Sequence, residues 1–414
     1  MKLLIITQNY LPFIGGIETQ AQLIAHDLTR RHQVRLVAGN FAANRQRPHL
    51  RVLHNSLLTP PYTDYQDGPL PVIALTPQPS DRVRMLPIAM RCLPGLRDRA
   101  YHPLRKHAYG FFRPVYLPRL RQLLQGVDVV HAMAGDYIAW TAREAAQQLG
   151  IPFVCTPYVH PHQWGDGPED VDFYRQCDAV IALLESDRQY LESIGVQSER
   201  LHTIGVIPVL PPTTDPQGFR ARHALAQFPF VLYIGRMMPQ KGAEAILKAA
   251  SQVWERAPQT RFVFIGPGTP ESETWFQQVD PRIINLGKVD DQEKADALDA
   301  CSLFCMPSMS EILPAVYLEA WSYGKAVIGG KAHGLPELIE GNGGGITVSQ
   351  DPDAVAHALL GLLLDPKRRA CLGERGKTLV DRCYAKNAVV GSLETLYTQL
   401  RTQSSPASGR VGRK

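Results

Sequence analysis

Apolar and polar positions follow two rhythms along this chain. The continuous apolar run KLLIIT (2–7) predicts a buried strand, and Gly15 and Gly16 then punctuate a turn. Ile17, Ala21, Ile24 and Leu28 recur at helical spacing, so a helix follows, and QVRLVAG (33–39) predicts the next strand. The same rhythm returns in VDVVHAMAG (127–135), a helix over about 137–148, IPFVCTPYVH (151–160) and DAVIALLES (178–186). Strands alternating with helices predict a parallel sheet covered on both faces.

The rhythm stops at VIPVLPPTTDPQGF (206–219), where four prolines and no periodicity mark a linker. It restarts at FVLYIGR (230–236). A helix with Ala243, Ile246, Leu247, Ala250, Val253 and Trp254 on one stripe follows. RFVFIGPG, RIINLGKV, LFCMPS, AVIGG and GITVS supply further strands, and Val389, Leu393, Leu396 and Leu400 mark a last helix. The expected division is a first Rossmann-like domain over 1–207, a linker over 208–218, and a second such domain over 219–385. A C-terminal helix over 386–402 and a disordered tail over 403–414 complete it.

Composition narrows the class. At 414 residues the chain is long for one core, and 44% hydrophobic content can fill two. No apolar run approaches the roughly 18 residues of a membrane span. The opening MKLLIITQNYLPFIGG lacks the long apolar region and cleavage site of a secretory signal, so the expected location is cytoplasmic. The seven cysteines are scattered. Cys301 and Cys305, in ACSLFCMPS, have no matching CxxC or His pair and read as buried thiols.

The net charge of +5 is unevenly spread. Residues 82–121 hold ten Lys or Arg and one Asp, a local +9, interleaved with Met85, Leu86, Ile88, Leu93, Leu96, Tyr109, Phe111, Phe112 and Tyr116. Basic and apolar residues together suit an anionic membrane surface, here the inner face, while prolines 87, 94, 103, 114 and 118 argue against one long amphipathic helix. The plain alternative is a solvated excursion of short helices. No nucleic-acid-binding module is readable, and nucleic acid is not expected as a partner.

Candidate chemistry clusters where predicted strands end. Gly15–Gly16, Gly235–Arg236, Gly266–Gly268 and Glu311 each follow a strand, the position where open α/β sheets bind ligands. Arg236 and Lys241, in YIGRMMPQKG, lie in a loop before a helix and suit a polyanion clamp. In SEILPAVYLEAWSYGKAVIGG (310–330), Glu311 sits on a loop and Glu319 eight residues later on a helix. Carboxylates accept hydrogen bonds from vicinal hydroxyls, and helix N–H groups favour phosphate. A nucleotide-sugar has both, with Glu311 facing the sugar ring and Glu319 the ribose.

At this point the sequence resembles the family 4 glycosyltransferases, retaining enzymes of the GT-B fold, in which two Rossmann-like domains face a central cleft and a C-terminal helix crosses back to the first. The resemblance rests on the Gly15–Gly16 loop, DVVHAMAG, TPYVHPH, DAVIALLESD, YIGRMMPQKG, VFIGPG, LGKVDDQEK and the two glutamates in their setting PSMSE…LEAWSYGKAVIGG…GLPELI. It implies transfer of a sugar from a nucleotide-sugar donor to a glycan, lipid or lipid-linked acceptor. Arg236 and Lys241 match the diphosphate ligands, Glu311 the residue facing the transferred sugar, and Glu319 the ribose ligand. His160 matches a histidine aimed at the reacting sugar, Gly16 the loop approaching phosphates and acceptor, and Val289 a position beside the base. His131 and Asp136 fall near the cleft without a firm role, and a core histidine is the plain reading of His131.

One departure matters. The family usually follows its first glutamate with Gly-Phe-Gly, and here Ile312-Leu313-Pro314 stands instead. Ile and Pro forbid the close approach that glycine permits, so Ala315 and Val316 become the expected N–H donors beside Leu313. No metal and no cofactor are expected. Two rivals stay open: a nucleotide-sugar epimerase, which needs no second substrate, and a non-catalytic partner subunit with the same fold.

Overall fold

The computed structural model describes residues 1–12, 15–40, 57, 62–92, 101–277 and 279–404. The chain forms two compact units. The first comprises 1–183, 187–204 and the chain from Val390 onward, and the second comprises 184–186 and 205–389.

In the first unit, eight strands form one sheet: β1 (Lys2–Asn9), β2 (Gln33–Asn40), β3 (Tyr65–Asp67), β4 (Leu70–Ala74), β5 (Val129–Met133), β6 (Phe153–Thr156), β7 (Ala179–Ala182) and β8 (Leu201–Thr203). Their spatial order is β3-β4-β2-β1-β5-β6-β7-β8. Every pairing is parallel except β3 with β4, a hairpin. The first helix, Gly16–Leu28, buries Ala21, Ile24 and Leu28 as its period demands. The hairpin escapes a reading based on apolar runs. Its signal is the Asp67–Gly68 dipeptide, with Gly68 at φ +56°, where a side chain would be strained.

The second unit holds β9 (Phe230–Ile234), β10 (Arg261–Ile265), β11 (Ile283–Gly287), β12 (Leu303–Met306), β13 (Val327–Gly329) and β14 (Gly345–Thr347), ordered β11-β10-β9-β12-β13-β14. All five pairings are parallel. The Pro-rich stretch after residue 205 packs within this unit. Thr214 Oγ1 donates to Asp299, and the Asp215 N–H donates to Asp296.

Two expectations for residues 82–121 are overturned. A single helix of 24 residues, Tyr101–Leu124, runs through Pro114 and Pro118. Gly110, Pro114 and Pro118 are all exposed, so the carbonyls that lose an N–H partner can bind water. The opposite face buries Phe112, Val115, Tyr116, Leu120 and Leu124. Five such side chains, at about 1.5–3 kcal/mol each, outweigh two prolines at about 3 kcal/mol each. Secondly, the apolar residues of this stretch largely serve the core: Met85, Ile88, Phe112 and Tyr116 are buried, and Phe112 stacks on Tyr116 at 4.2 Å. Leu93, Leu96 and Pro94 lie outside the described residues.

The last helix, Lys386–Ser404, buries Val390, Leu393, Leu396, Tyr397 and Leu400. From Val390 it belongs to the first unit, where Glu394 accepts from His32 Nε2 at 2.7 Å and Tyr397 hydrogen-bonds His131. The tail beyond residue 404 lies outside the described residues. Cys301 and Cys305 are buried thiols.

Candidate active site

In both sheets the strand order reverses near the centre, and a crevice outside the carboxyl ends at that point is where such folds bind ligands. In the second sheet the reversal lies between β9 and β12. The loop after β9 carries Gly235, Arg236 and Lys241, and the loop after β12 carries Ser308 to Glu311. The loops are tied together, with Met309 N–H donating to the Gln240 carbonyl at 2.8 Å and Ser308 Oγ to the same carbonyl at 3.2 Å. Lys241 Nζ donates to the Ser310 carbonyl at 3.1 Å and to Glu311 Oε1 at 2.5 Å. One predicted cation and one predicted carboxylate thus meet in an ion pair at the switch point. Arg236, on the same loop as Lys241, is exposed.

Gly266 follows β10 with φ +140°, and a Cβ there would meet the Gly235 carbonyl oxygen at 2.0 Å. That close approach lets Gly235 N–H reach the Ile265 carbonyl at 2.9 Å and Gly266 N–H the Gly287 carbonyl at 2.7 Å. Only glycine permits the packing of these loops. Val289 is half-buried after β11.

The helix Ala315–Ser322 starts one residue after Pro314, which occupies the N-cap position. Ala315 and Val316 form its first turn and are half-buried, and Leu313 is buried just before it. N–H groups in a first turn have no acceptor within the helix, so these two remain candidate anion donors. The rest of the helix is nearly all core, with Tyr317, Leu318, Ala320 and Trp321 fully buried. Glu319 is 3% exposed among them. An acid so placed needs a partner, and it has two. Val209 N–H donates to Oε1 at 3.2 Å, and the Lys294 ammonium lies 3.2 Å from both carboxylate oxygens.

Burial raises the Glu319 pKa, and Lys294 holds that rise back. Burial opposes the Lys294 charge in turn, but Glu319 and Asp291 outweigh it and the net shift is upward. Sequence reasoning missed Lys294. A lysine in DDQEKADAL reads as an ordinary wet-face cation, and nothing local marks it as buried.

In the first unit the reversal lies between β1 and β5. Gly15 caps the helix after β1, and Gly16 opens it, where a Cβ would meet nothing within 4 Å among the described residues. Glu18, in the first turn, is buried and accepts from Asn9 Nδ2 at 3.3 Å, while burial raises its pKa. It was also missed, although an acid two residues after a Gly-Gly turn is a legible signal. His160 follows β6 on a built loop, not a plain one: its backbone bridges Trp164 and its ring packs on the Trp164 ring at 4.6 Å between centroids.

The two residues without a firm role have structural ones. His131 is buried between Tyr397 Oη at 2.7 Å and Thr156 Oγ1 at 2.8 Å. Asp136 caps the helix Tyr137–Leu149 by accepting from Ala139 N–H at 2.9 Å. Asp290 likewise caps the helix Asp291–Ala300.

The family model for "Glycosyl transferase 4-like domain" matches residues 15–206, and that for "Glycosyl transferases group 1" matches residues 228–365. A GDP-mannose-dependent monoacylated α-(1-6)-phosphatidylinositol monomannoside mannosyltransferase of Corynebacterium glutamicum is 32% identical over 274 residues, 62% of this chain and 72% of that one. The chain is a family 4 glycosyltransferase.

A GDP-mannose-dependent α-(1-6)-phosphatidylinositol monomannoside mannosyltransferase of Mycolicibacterium smegmatis is 22% identical to this glycosyltransferase over 410 residues, covering 91% of the present chain and 92% of that one. Among solved structures, HepE of Anabaena in complex with UDP superposes with a TM-score of 0.71 at 18% identity, covering 96% of this glycosyltransferase and all of HepE. Sucrose-phosphate synthase of Thermosynechococcus elongatus gives 0.68 at 19% identity over 97% and 99% of the two chains. The glycosyltransferase therefore has the GT-B fold. Among the described residues no helix is long and apolar enough to cross a membrane.

Proposed function

We propose that this glycosyltransferase moves a hexose from a nucleoside-diphosphate sugar to an acceptor hydroxyl with retention of configuration, and that positive side chains rather than a metal stabilise the departing diphosphate. The observation that carries the reading is the joining of Lys241 and Glu311 at the β9/β12 switch point, with Arg236 on the same loop as Lys241. A diphosphate needs cations where its charge grows on departure, and Arg236 and Lys241, on the loop after β9, are the groups that could supply them. Glu311 holds the Lys241 ammonium in an ion pair. With donor bound, Glu311 accepts from the sugar hydroxyls while Lys241 turns to phosphate. The first-turn N–H groups of Ala315 and Val316 add donors, and Glu319 accepts from the ribose. In a front-face course the diphosphate oxygen takes the acceptor's proton, and the new bond forms on the face the nucleotide leaves. For His160, on the loop after β6, the family resemblance implies a role toward the reacting sugar.

The relatives named above use GDP-mannose and phosphatidylinositol mannosides, which makes GDP-mannose the first donor to try and a lipid-linked or glycan acceptor the first class. A peripheral contact with an anionic membrane suits such an acceptor. On the segment from 82 to 121, Val83 and Leu86 are 75% and 62% exposed, and Arg84, Lys106 and Arg121 are exposed as well.

A thermal-shift screen with GDP-mannose and with UDP-, ADP- and dTDP-sugars tests the donor class. A donor at about 100 times its Kd stabilises by about 2.7 kcal/mol. NMR of the product with the responding donor then reads the anomeric configuration. Retention with activity in EDTA is expected. An inverted product or strict dependence on a divalent cation would overturn the mechanism. Release of nucleotide without any acceptor would favour the epimerase reading.

A further inference from the structure

The ribose reading of Glu319 leaves its neighbour Lys294 unused. The ammonium lies 3.2 Å from both Glu319 oxygens and 3.1 Å from Asp291 Oδ1. It is 17% exposed, whereas Asp291 is 71% exposed, so Glu319 is its desolvated partner. The Glu319 oxygens are unequal: Oε1 takes the Val209 N–H and the ammonium, while among the described contacts Oε2 meets the ammonium alone.

We propose that Lys294 is the positioning residue for the donor's ribose, locking the Glu319 carboxylate so that Oε2 accepts a ribose hydroxyl. The proposal rests on the ribose reading of Glu319. Three features support it. First, a carboxylate buried on an apolar helix swings or takes up a proton unless a cation fixes it, and both changes would spoil a charge-assisted acceptor. Secondly, the second anchor, Val209 N–H, binds Oε1 and so fixes which oxygen remains. Thirdly, the other charged or titratable groups around Glu319 cannot substitute for the ammonium. Asp291 repels it, and the Tyr323 phenol, at the end of the same helix, stays neutral with its pKa pushed up to about 12 by burial and by the Asp299, Glu319 and Asp296 carboxylates.

The test measures binding of GDP and UDP, each against its 2′-deoxy counterpart, by calorimetry at pH 6 and pH 8. Wild type should prefer the ribonucleotide about tenfold, the 1.4 kcal/mol of one hydrogen bond, at both pH values. Lys294→Met should bring that ratio close to one. Its residual ribonucleotide binding should weaken as the pH falls from 8 to 6, because burial raises the Glu319 pKa and no cation then opposes that rise. Lys294→Gln keeps a hydrogen-bond donor without charge and should show the same pH dependence, which preserves the test if the methionine variant does not fold. Melting temperatures of the same samples report folding. Folded Lys294 variants with the wild-type ratio and no pH dependence would overturn the proposal while the ribose reading stands. A Glu319→Ala variant that keeps the wild-type ratio would overturn the ribose reading itself, and the role of Lys294 with it.

Discussion

Single residues decide the chemistry of this site, and two of them give sharp expectations. Arg236 is exposed on the loop after β9 and has no core to support, so its removal should cost catalysis and spare the fold. Arg236→Ala is expected to lower turnover about 100-fold or more with an unchanged melting temperature, since donors to a developing anion are worth about 2.7–4 kcal/mol. Near-wild-type steady-state rates would remove Arg236 from the clamp. Gly266 presents the opposite case. Its φ of +140° and the 2.0 Å approach of the Gly235 carbonyl to a would-be Cβ make any side chain there costly. Gly266→Ala should lose more than about 1–3 kcal/mol of stability in urea titration, because strain and overpacking act together. A variant as stable as wild type would show that the two loops can part freely.

At the scale of elements, the helix Tyr101–Leu124 shows how charge that looks available in sequence is used internally. Arg105 makes two hydrogen bonds to Asp170, at 2.5 and 2.7 Å, and Asp170 is 3% exposed at its side chain. Arg113 pairs with Glu144, and Arg119 lies 3.6 Å from Asp81. These bridges join the helix to its neighbours in the first unit. Arg105→Ala leaves a buried carboxylate without its cation, and a loss of about 3–5 kcal/mol is expected from chemical denaturation. A loss below about 1 kcal/mol would mean that Asp170 finds water or a proton instead. The local +9 is therefore a poor count of the charge offered to a membrane, and the exposed Arg84, Lys106 and Arg121 are a better one among the described residues.

For the whole molecule, those three cations predict only a modest membrane affinity. At about 1 kcal/mol each, with Val83 and Leu86 adding apolar contact, they should bring the protein down with anionic vesicles at low salt and release it as salt screens the surface. Co-sedimentation checks this, and protein that stays in the supernatant at low salt would favour a soluble acceptor. Stability should also fall with acid through His131. Burial pushes its pKa from 6.5 down to about 3. Below pH 6.5 the unfolded chain therefore binds a proton that the fold refuses. Stability held above that pH is lost as pH falls toward 3, at up to about 1.4 kcal/mol per unit. The His131→Gln variant should show a shallower loss between pH 6 and pH 4 in urea midpoints. An identical slope would mean that the imidazole protonates within the fold.

Much of this was legible in the chain alone. Strands β1, β2, β5, β6, β7 and β9 to β14 declare themselves as short apolar runs, and the helix Gly16–Leu28 by its period, because burial of one face is written into local spacing. Arg236, Lys241 and Glu311 were legible as candidates because each follows a strand, and Glu319 because it lies on the helix after Glu311. What the tertiary structure alone decided depends on residues distant in sequence. The helix Tyr101–Leu124 survives Pro114 and Pro118 because a core assembled from other elements receives its apolar face. Tyr397 reaches His131 across 266 residues, which returns the last helix to the first unit. Lys294 meets Glu319 because folding sets a lysine with no distinguishing neighbours against a carboxylate 25 positions away and takes both out of water. Periodicity reports which face of an element is dry; which partner waits inside is settled when the elements pack.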